Sequence, residues 1–316
     1  MHDAVSAVTP KRIGIIGLGL LGTPITRALR RHFPLAVHDI DEGRARPFGG
    51  DVVRCERLED LATACDIVVT ILPGPQELAN VASRALPHLA PGSLWLDLTS
   101  GSPETTRALV KEAASRQVDV VSAPMGGSVA EADSATLVFH VSGSTTAVAR
   151  AIPVLGPLAA PDGIRHAGRR AEDGQIVKLL ANALWFANAA AATEAMLIGT
   201  KLGLPTEQLH ELLRDSAGTS RFLEHDAGRL LDGDYMATFG IDRVVEELTT
   251  VTAMRDAAMV DSPVLDASAA LHRAAMDRFG SELGELLGAR LLEQRAHHRL
   301  RRDDMSYGPD PRALDA

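Results

Sequence analysis

A short apolar run, Ile13 to Ile16, breaks into Gly17–Leu18–Gly19–Leu20–Leu21–Gly22 and leaves through Thr23 to Leu29 as a helix-compatible stretch. Each glycine has a separate reason to be there. Gly17 permits the tight turn, Gly19 lets backbone approach a pyrophosphate with no Cβ in the way, and Gly22 lets the helix pack closely on its strand. The free N–H groups at the helix start, with the positive end of its dipole, attract an anion. A second apolar run, Pro34 to Val37, continues to His38 and ends at Asp39, 20 residues beyond Gly19. A carboxylate there would accept from both ribose hydroxyls of an adenosine. Strand, glycine turn, helix, strand and acid together predict a dinucleotide site, with Leu20 and Leu21 inside its turn.

The chain of 316 residues is long enough for about two domains. With 46% apolar and 23% charged residues it has the composition of a soluble globular protein. A net charge of −9 argues against a nucleic-acid partner, and the short basic run Arg295 to Arg302 reads as a solvated helix end. Cys55 and Cys65 have neither disulfide-scaffold nor metal spacing, which implies a reducing, cytoplasmic setting and no metal. Residues 1–10 show no secretory pattern. The Ala- and Leu-rich stretch Leu179 to Thr200 carries Asn182, Asn188 and Glu194, with Lys178 at its head. Those groups are costly in hydrocarbon, so the stretch reads as a helix buried between domains or subunits and not as a membrane span.

Further apolar runs return at Ile67–Leu72, Leu94–Leu96, Val118–Val121 and Leu137–Val141, with helix-compatible stretches between them at Gln76–Ala85 and Pro103–Ser115. Ser102 is placed to cap the second of these, with Pro103 in its first turn. Alternation of buried strands and helices predicts a parallel sheet covered on both faces. Residues 163–168 can add one last short strand; beyond Asp173 all periodicity is helical, as in Thr206–Asp215, Ile241–Val260 and Pro263–Phe279. The expected fold is therefore α/β: a Rossmann-type parallel-sheet domain over residues 1–170, an all-α domain over 171–300, and a tail over 301–316 without apolar periodicity. In such sheets ligands bind beyond the carboxyl ends of the strands. That makes Leu72–Pro73, Thr99–Ser100 and the segment Ser122 to Ser128 candidates.

Lys178 and Asn182 share a face of the long helix, being four residues apart. The pair fits two readings. Lys178 could be solvated at the helix start with Asn182 bonded to a neighbouring helix, or the ammonium could lie over a reacting alcohol with Asn182 orienting it.

Four motifs resemble the β-hydroxyacid dehydrogenase family, which includes 3-hydroxyisobutyrate and tartronate-semialdehyde enzymes. Ile13 to Gly22 looks like its cofactor fingerprint, and Asp97–Leu98–Thr99–Ser100–Gly101–Ser102–Pro103 like its nicotinamide loop. Ser122–Ala123–Pro124–Met125–Gly126–Gly127–Ser128 is similar to its substrate segment, and Gly174–x–x–x–Lys178–x–x–x–Asn182 to its catalytic helix. The resemblance implies hydride transfer between a nicotinamide and an alcohol or carbonyl carbon, with Lys178 as general acid and base and Asn182 holding it. Gly17, Gly19, Leu20, Leu21, Gly22, Asp39, Leu72, Pro73 and Ser100 would hold the cofactor. Asp39 favours NAD, with Arg44 leaving NADP possible. The partner is a small-molecule substrate, and the family's assembly implies a homodimer or homotetramer.

Three departures qualify the resemblance. Gly126 lacks the hydroxyl that the family uses on a substrate carboxylate, which Ser128 could replace from two residues away. Glu131 and Ala135 stand where the family commonly has glycine. Glu246–Glu247–Leu248 falls where it has Lys–Asp–Leu, so Glu246 puts an anion in place of a cation. Ser122, Gly126, Gly127, Ser128 and Glu246 are thus the substrate-side candidates, for a molecule other than a small simple hydroxycarboxylate. The alternatives are an imine reductase, though such enzymes usually lack the lysine, and a noncatalytic dinucleotide-binding protein.

Overall fold

The structure, a computed structural model, describes residues 12–237 and 239–302. The stretches expected to lack a leader pattern (1–10) and to form the end of a tail (303–316) lie outside the described residues. The chain divides into two compact units after Lys178.

The first unit alternates strand and helix: β1 Ile13–Ile16, α1 Gly22–Leu29, β2 Leu35–His38, α2 Glu42–Ala45, β3 Val52–Arg54, α3 Leu58–Ala64, β4 Ile67–Thr70 and α4 Pro75–Ala85. It continues with β5 Leu94–Asp97, α5 Pro103–Ala114, β6 Asp119–Ser122, β7 Met125–Gly126, α6 Val129–Asp133, β8 Leu137–Gly143, α7 Thr145–Leu155 and β9 Ala159–Gly168. Ser102 caps α5 as its sequence position requires, its hydroxyl accepting from the Thr105 N–H. Strands β1 to β6 are mutually parallel in the order β3-β2-β1-β4-β5-β6, the arrangement that puts a ligand crevice where the order reverses, at β1 and β4. All four residues of β1 and of β4 are buried, as expected for strands covered on both faces.

Two features depart from the expected parallel sheet. Strand β8 runs antiparallel to both β6 and β7. Only ten residues separate Gly126 from Leu137, too few for a parallel crossover, so the chain folds back on itself. Strand β9 is ten residues long and pairs parallel with β8, with two register shifts, in place of the short strand expected from residue 163.

Helix α8, Asp173–Lys201, leads into the second unit, which contains α9 Thr206–Arg214, α10 Ala227–Leu231, α11 Ile241–Ala258, α12 Pro263–Phe279 and α13 Leu287–Ala296. By length and composition alone α8 could cross a membrane. Within the second unit one side of it joins the core: Leu179, Ala183 and Phe186 pack with Ile241, Val244 and Leu248 of α11, while Ala189, Ala192 and Met196 pack with Phe222 and Leu230.

Candidate active site

The glycine turn follows β1 at the reversal point of the sheet. A Cβ at Gly17 would fall on the Ile71 carbonyl oxygen, and one at Gly22 on the Gly17 carbonyl oxygen, so packing inside the chain demands both. Gly17 also has φ +98°, a conformation that only glycine adopts without strain. Gly19 differs. A Cβ there would meet one atom within 4 Å, the Arg44 Nη1 at 3.7 Å. Among the described residues nothing needs the third of these positions bare, whereas a pyrophosphate brought against the backbone does. The residues present therefore fit a dinucleotide. Leu20 is 72% exposed on the turn, and Ile40, next to Asp39, is 98% exposed. Leu21 lies half-buried against the core.

Asp39 already has work within the chain. Its Oδ2 accepts from the Leu18 N–H at 2.6 Å and its Oδ1 from the Asp41 N–H at 2.9 Å. The carboxylate thus clips the glycine turn to the end of β2, leaving only its remaining lone pairs for a ribose. The Arg44 guanidinium lies 4.0 Å from Asp39 and 3.5 Å from Asp41, on the side of Gly19. A 2′-phosphate here would meet both the Asp39 carboxylate and this cation, which suits NAD and leaves NADP possible.

The loops after β4, β5 and β6 are tied together at the same edge of the sheet. The Leu72 N–H donates to Thr99 Oγ1 at 3.2 Å, and Pro73 is exposed beside it. Gln175, fully buried on the first turn of α8, accepts from the Gly101 N–H at 3.0 Å. Its amide donates to the Thr99 carbonyl at 2.8 Å and to Ser122 Oγ at 3.1 Å. One side chain thus holds the segment around Ser100 and the end of β6 against the helix that carries Lys178. Sequence reading passed over Gln175; the available signal was a polar residue three positions before Lys178, on the same helix face.

Under the Thr99 loop lies Asp97, fully buried. Its Oδ1 accepts from Thr70 Oγ1 (2.8 Å) and the Thr99 N–H (3.1 Å), while its Oδ2 is a buried atom with no hydrogen-bond partner. Burial raises its pKa from 3.8 to about 6, against the smaller lowering effect of those bonds.

Of the residues expected to meet substrate, Ser122 is fully buried with its hydroxyl engaged by Gln175. Gly126 ends β7 and Gly127, at φ +125°, begins the turn after it. Ser128 does not offer a spare hydroxyl: its Oγ and its N–H both reach Glu131 Oε2, at 2.5 and 2.8 Å, in a capping box on α6. Glu246 is exposed on α11 and pairs with Arg243 Nη1 at 2.7 Å, one turn back, so its charge is matched by a neighbouring cation. Lys178 is half-buried. One turn along the helix, Asn182 donates from Nδ2 to Glu247 Oε2 at 2.7 Å.

Residues 12–168 match the family described as the NAD binding domain of 6-phosphogluconate dehydrogenase, and residues 173–291 that described as the NAD-binding of NADP-dependent 3-hydroxyisobutyrate dehydrogenase. The 2-(hydroxymethyl)glutarate dehydrogenase of Eubacterium barkeri is 30% identical over 73% of this chain and 78% of its own. The NAD-dependent L-serine dehydrogenase of Pseudomonas aeruginosa is 31% identical over 68% of this chain and 72% of its own. Among solved structures, the 3-hydroxyisobutyrate dehydrogenase of Mycobacterium tuberculosis with L-serine has the same fold, with TM-score 0.81 at 23% identity over 90% of this chain and 99% of that one. A glycine turn kept clear at Gly19, loops after β5 and β6 gathered by Gln175, and relatives that are dehydrogenases acting on hydroxyl groups have one common explanation: the chain belongs to the β-hydroxyacid dehydrogenase family of NAD(P)-dependent oxidoreductases.

Proposed function

We propose that Lys178 is the general acid and base of this oxidoreductase. The observation that carries the reading is its place on α8, one turn beyond Gln175, which binds the loops after β5 and β6 at the edge of the sheet where the glycine turn lies. A bound nicotinamide supplies the ring carbon that takes or gives the hydride. On oxidation, neutral Lys178 Nζ accepts the hydroxyl proton; on reduction, its ammonium returns that proton to the forming alcohol oxygen. Asn182, one turn further on the same face and held by Glu247, orients that oxygen. Holding the reacting carbons close is the other source of rate, and Gln175 serves it by fixing the loop around Ser100.

The substrate side supports a molecule other than a small simple hydroxycarboxylate. Gly126 has no hydroxyl, Ser122 and Ser128 spend theirs on Gln175 and Glu131, and the Glu131 carboxylate occupies the loop. Glu246 adds little to this argument, because Arg243 cancels its charge. An alcohol with a neutral or cationic group near the reacting carbon fits best. A homodimer or homotetramer is supported by the exposed apolar side of α8, where Leu184 and Ile198, with Leu202 just beyond the helix, are each more than 60% exposed. The two free thiols agree with a cytoplasmic setting.

The test is a panel of L-serine, 3-hydroxyisobutyrate, L-threonate, neutral alcohols and amino alcohols, with NAD and NADP, read by NAD(P)H absorbance. Lys178→Ala is expected to lower kcat by about a thousandfold or more while leaving NAD affinity unchanged. Unchanged turnover would remove Lys178 from the reaction. Efficient turnover of 3-hydroxyisobutyrate or L-serine would overturn the substrate proposal alone. Reduction of a cyclic imine with NADPH, in place of alcohol oxidation, would favour the imine reductase reading.

A further inference from the structure

Strand β8 presents two different faces. Leu137, Phe139 and Val141 enter the core of the sheet domain, while Val138, His140 and Ser142 face the other way. That second face receives the first turn of α8. Ser142 Oγ accepts from the Gly174 N–H at 2.8 Å and donates to the Ala171 carbonyl at 2.7 Å. A Cβ at Gly174 would fall on the His140 carbonyl oxygen, so helix and strand touch with no side chain between them. From Ser142 back to His140 is about 6.6 Å along the strand, and from Gly174 on to Lys178 is about 6 Å along the helix. The Lys178 charge is close enough to act on the imidazole, lowering its pKa.

His140 is half-buried. The charged groups facing it are Lys178 from α8 and Arg165 from β9, its register partner; the paired segment of β7, Met125–Gly126, brings none. Burial first, then the two cations, holds the imidazole below the ordinary histidine range, so it is neutral at physiological pH. A neutral imidazole beside an amine that must discharge a proton in every oxidation has a definite use.

We propose that His140 is the proton relay partner of Lys178, a positioning residue that acts through the lysine and does not meet the substrate. The proposal rests on Lys178 being the general base. In oxidation the substrate hydroxyl proton passes to Lys178 Nζ. The resulting ammonium passes a proton to the free ring nitrogen of His140, and the imidazolium releases it to water. No electrons move in these two transfers, and reduction runs them backwards.

Two experiments on the full-length protein test this. The first needs no substrate: the His140 ring signal, assigned by its loss in His140→Asn, is titrated by NMR in the wild type and in Lys178→Met. Removing the lysine charge is expected to raise the histidine midpoint by about half a unit or more; an unmoved midpoint overturns the pairing. The second uses the best alcohol of the panel above. His140→Asn is expected to lower kcat about tenfold at pH 7 with little change in KM, and the loss should shrink toward pH 9. Added imidazole should restore turnover to His140→Ala. A wild-type pH profile in His140→Asn, or a loss equal at every pH and untouched by imidazole, overturns the relay and leaves Lys178 as base. Full turnover in Lys178→Met overturns the base, and the relay with it.

Discussion

Replacing Asp97 by Asn would change how stability depends on pH. The carboxyl is fully buried, has one unpartnered oxygen and titrates near 6 in the folded chain, against 3.8 for an ordinary aspartate. A raised pKa in an acid means that the folded state holds the proton more tightly than the unfolded state does. The favourable contribution is therefore complete below 3.8 and is lost as pH rises through about 6. A shift of about 2.2 units corresponds to about 3 kcal/mol over the whole range, of which about 2 kcal/mol falls between pH 4.5 and 7.5. In Asp97→Asn the amide oxygen keeps the bonds from Thr70 and Thr99, and the amide nitrogen takes the unpartnered position at a cost that does not vary with pH. The quantity to measure is thus the stability of wild type minus that of Asp97→Asn, obtained by urea unfolding at several pH values. A local reporter is at hand: Trp95 Nε1 donates to Thr70 Oγ1 at 3.1 Å, and that hydroxyl donates to Asp97. Trp185→Phe in both proteins leaves Trp95 as the single tryptophan. The difference should fall by about 2 kcal/mol from pH 4.5 to 7.5, about 1 M in urea midpoint for an m-value near 2 kcal/mol/M. A difference that is flat with pH, or that rises, would refute the burial argument.

Gly19→Ala should leave the melting temperature within about 2 °C of wild type and weaken NAD binding at least tenfold, whereas Gly22→Ala should destabilise the protein outright; calorimetry with NAD titration separates them. Gln175→Leu removes three buried hydrogen bonds and should cost about 2–4 kcal/mol in urea unfolding, with a higher KM for NAD because the loop around Ser100 loses its anchor. Glu131→Gln, which keeps the cap but removes the charge, should improve kcat/KM for L-serine and 3-hydroxyisobutyrate severalfold; no gain would argue against Glu131 as the group that disfavours carboxylates.

Backbone geometry governed by neighbours within a few residues could be read from the chain itself. The three glycines and the run after them impose a strand, a turn and a helix through backbone sterics, and Ser102 with Pro103 starts α5 by capping alone. Period and length distinguish the strand-bearing half from the helical half, and Lys178 and Asn182 share a face by helical geometry. Other features were decided only when distant segments met. The reversal of β8, the Asp39 clip on the Leu18 N–H, Gln175 reaching residues more than 50 positions earlier, and His140 brought against the turn of Lys178 all depend on where loops converge. Even short-range pairs such as Ser128 with Glu131 and Arg243 with Glu246 had to be seen, because a spacing permits a bond without selecting it. A hydrogen bond or an ion pair is worth about 1 kcal/mol locally, so tertiary packing settles which of several permitted partners each polar group takes.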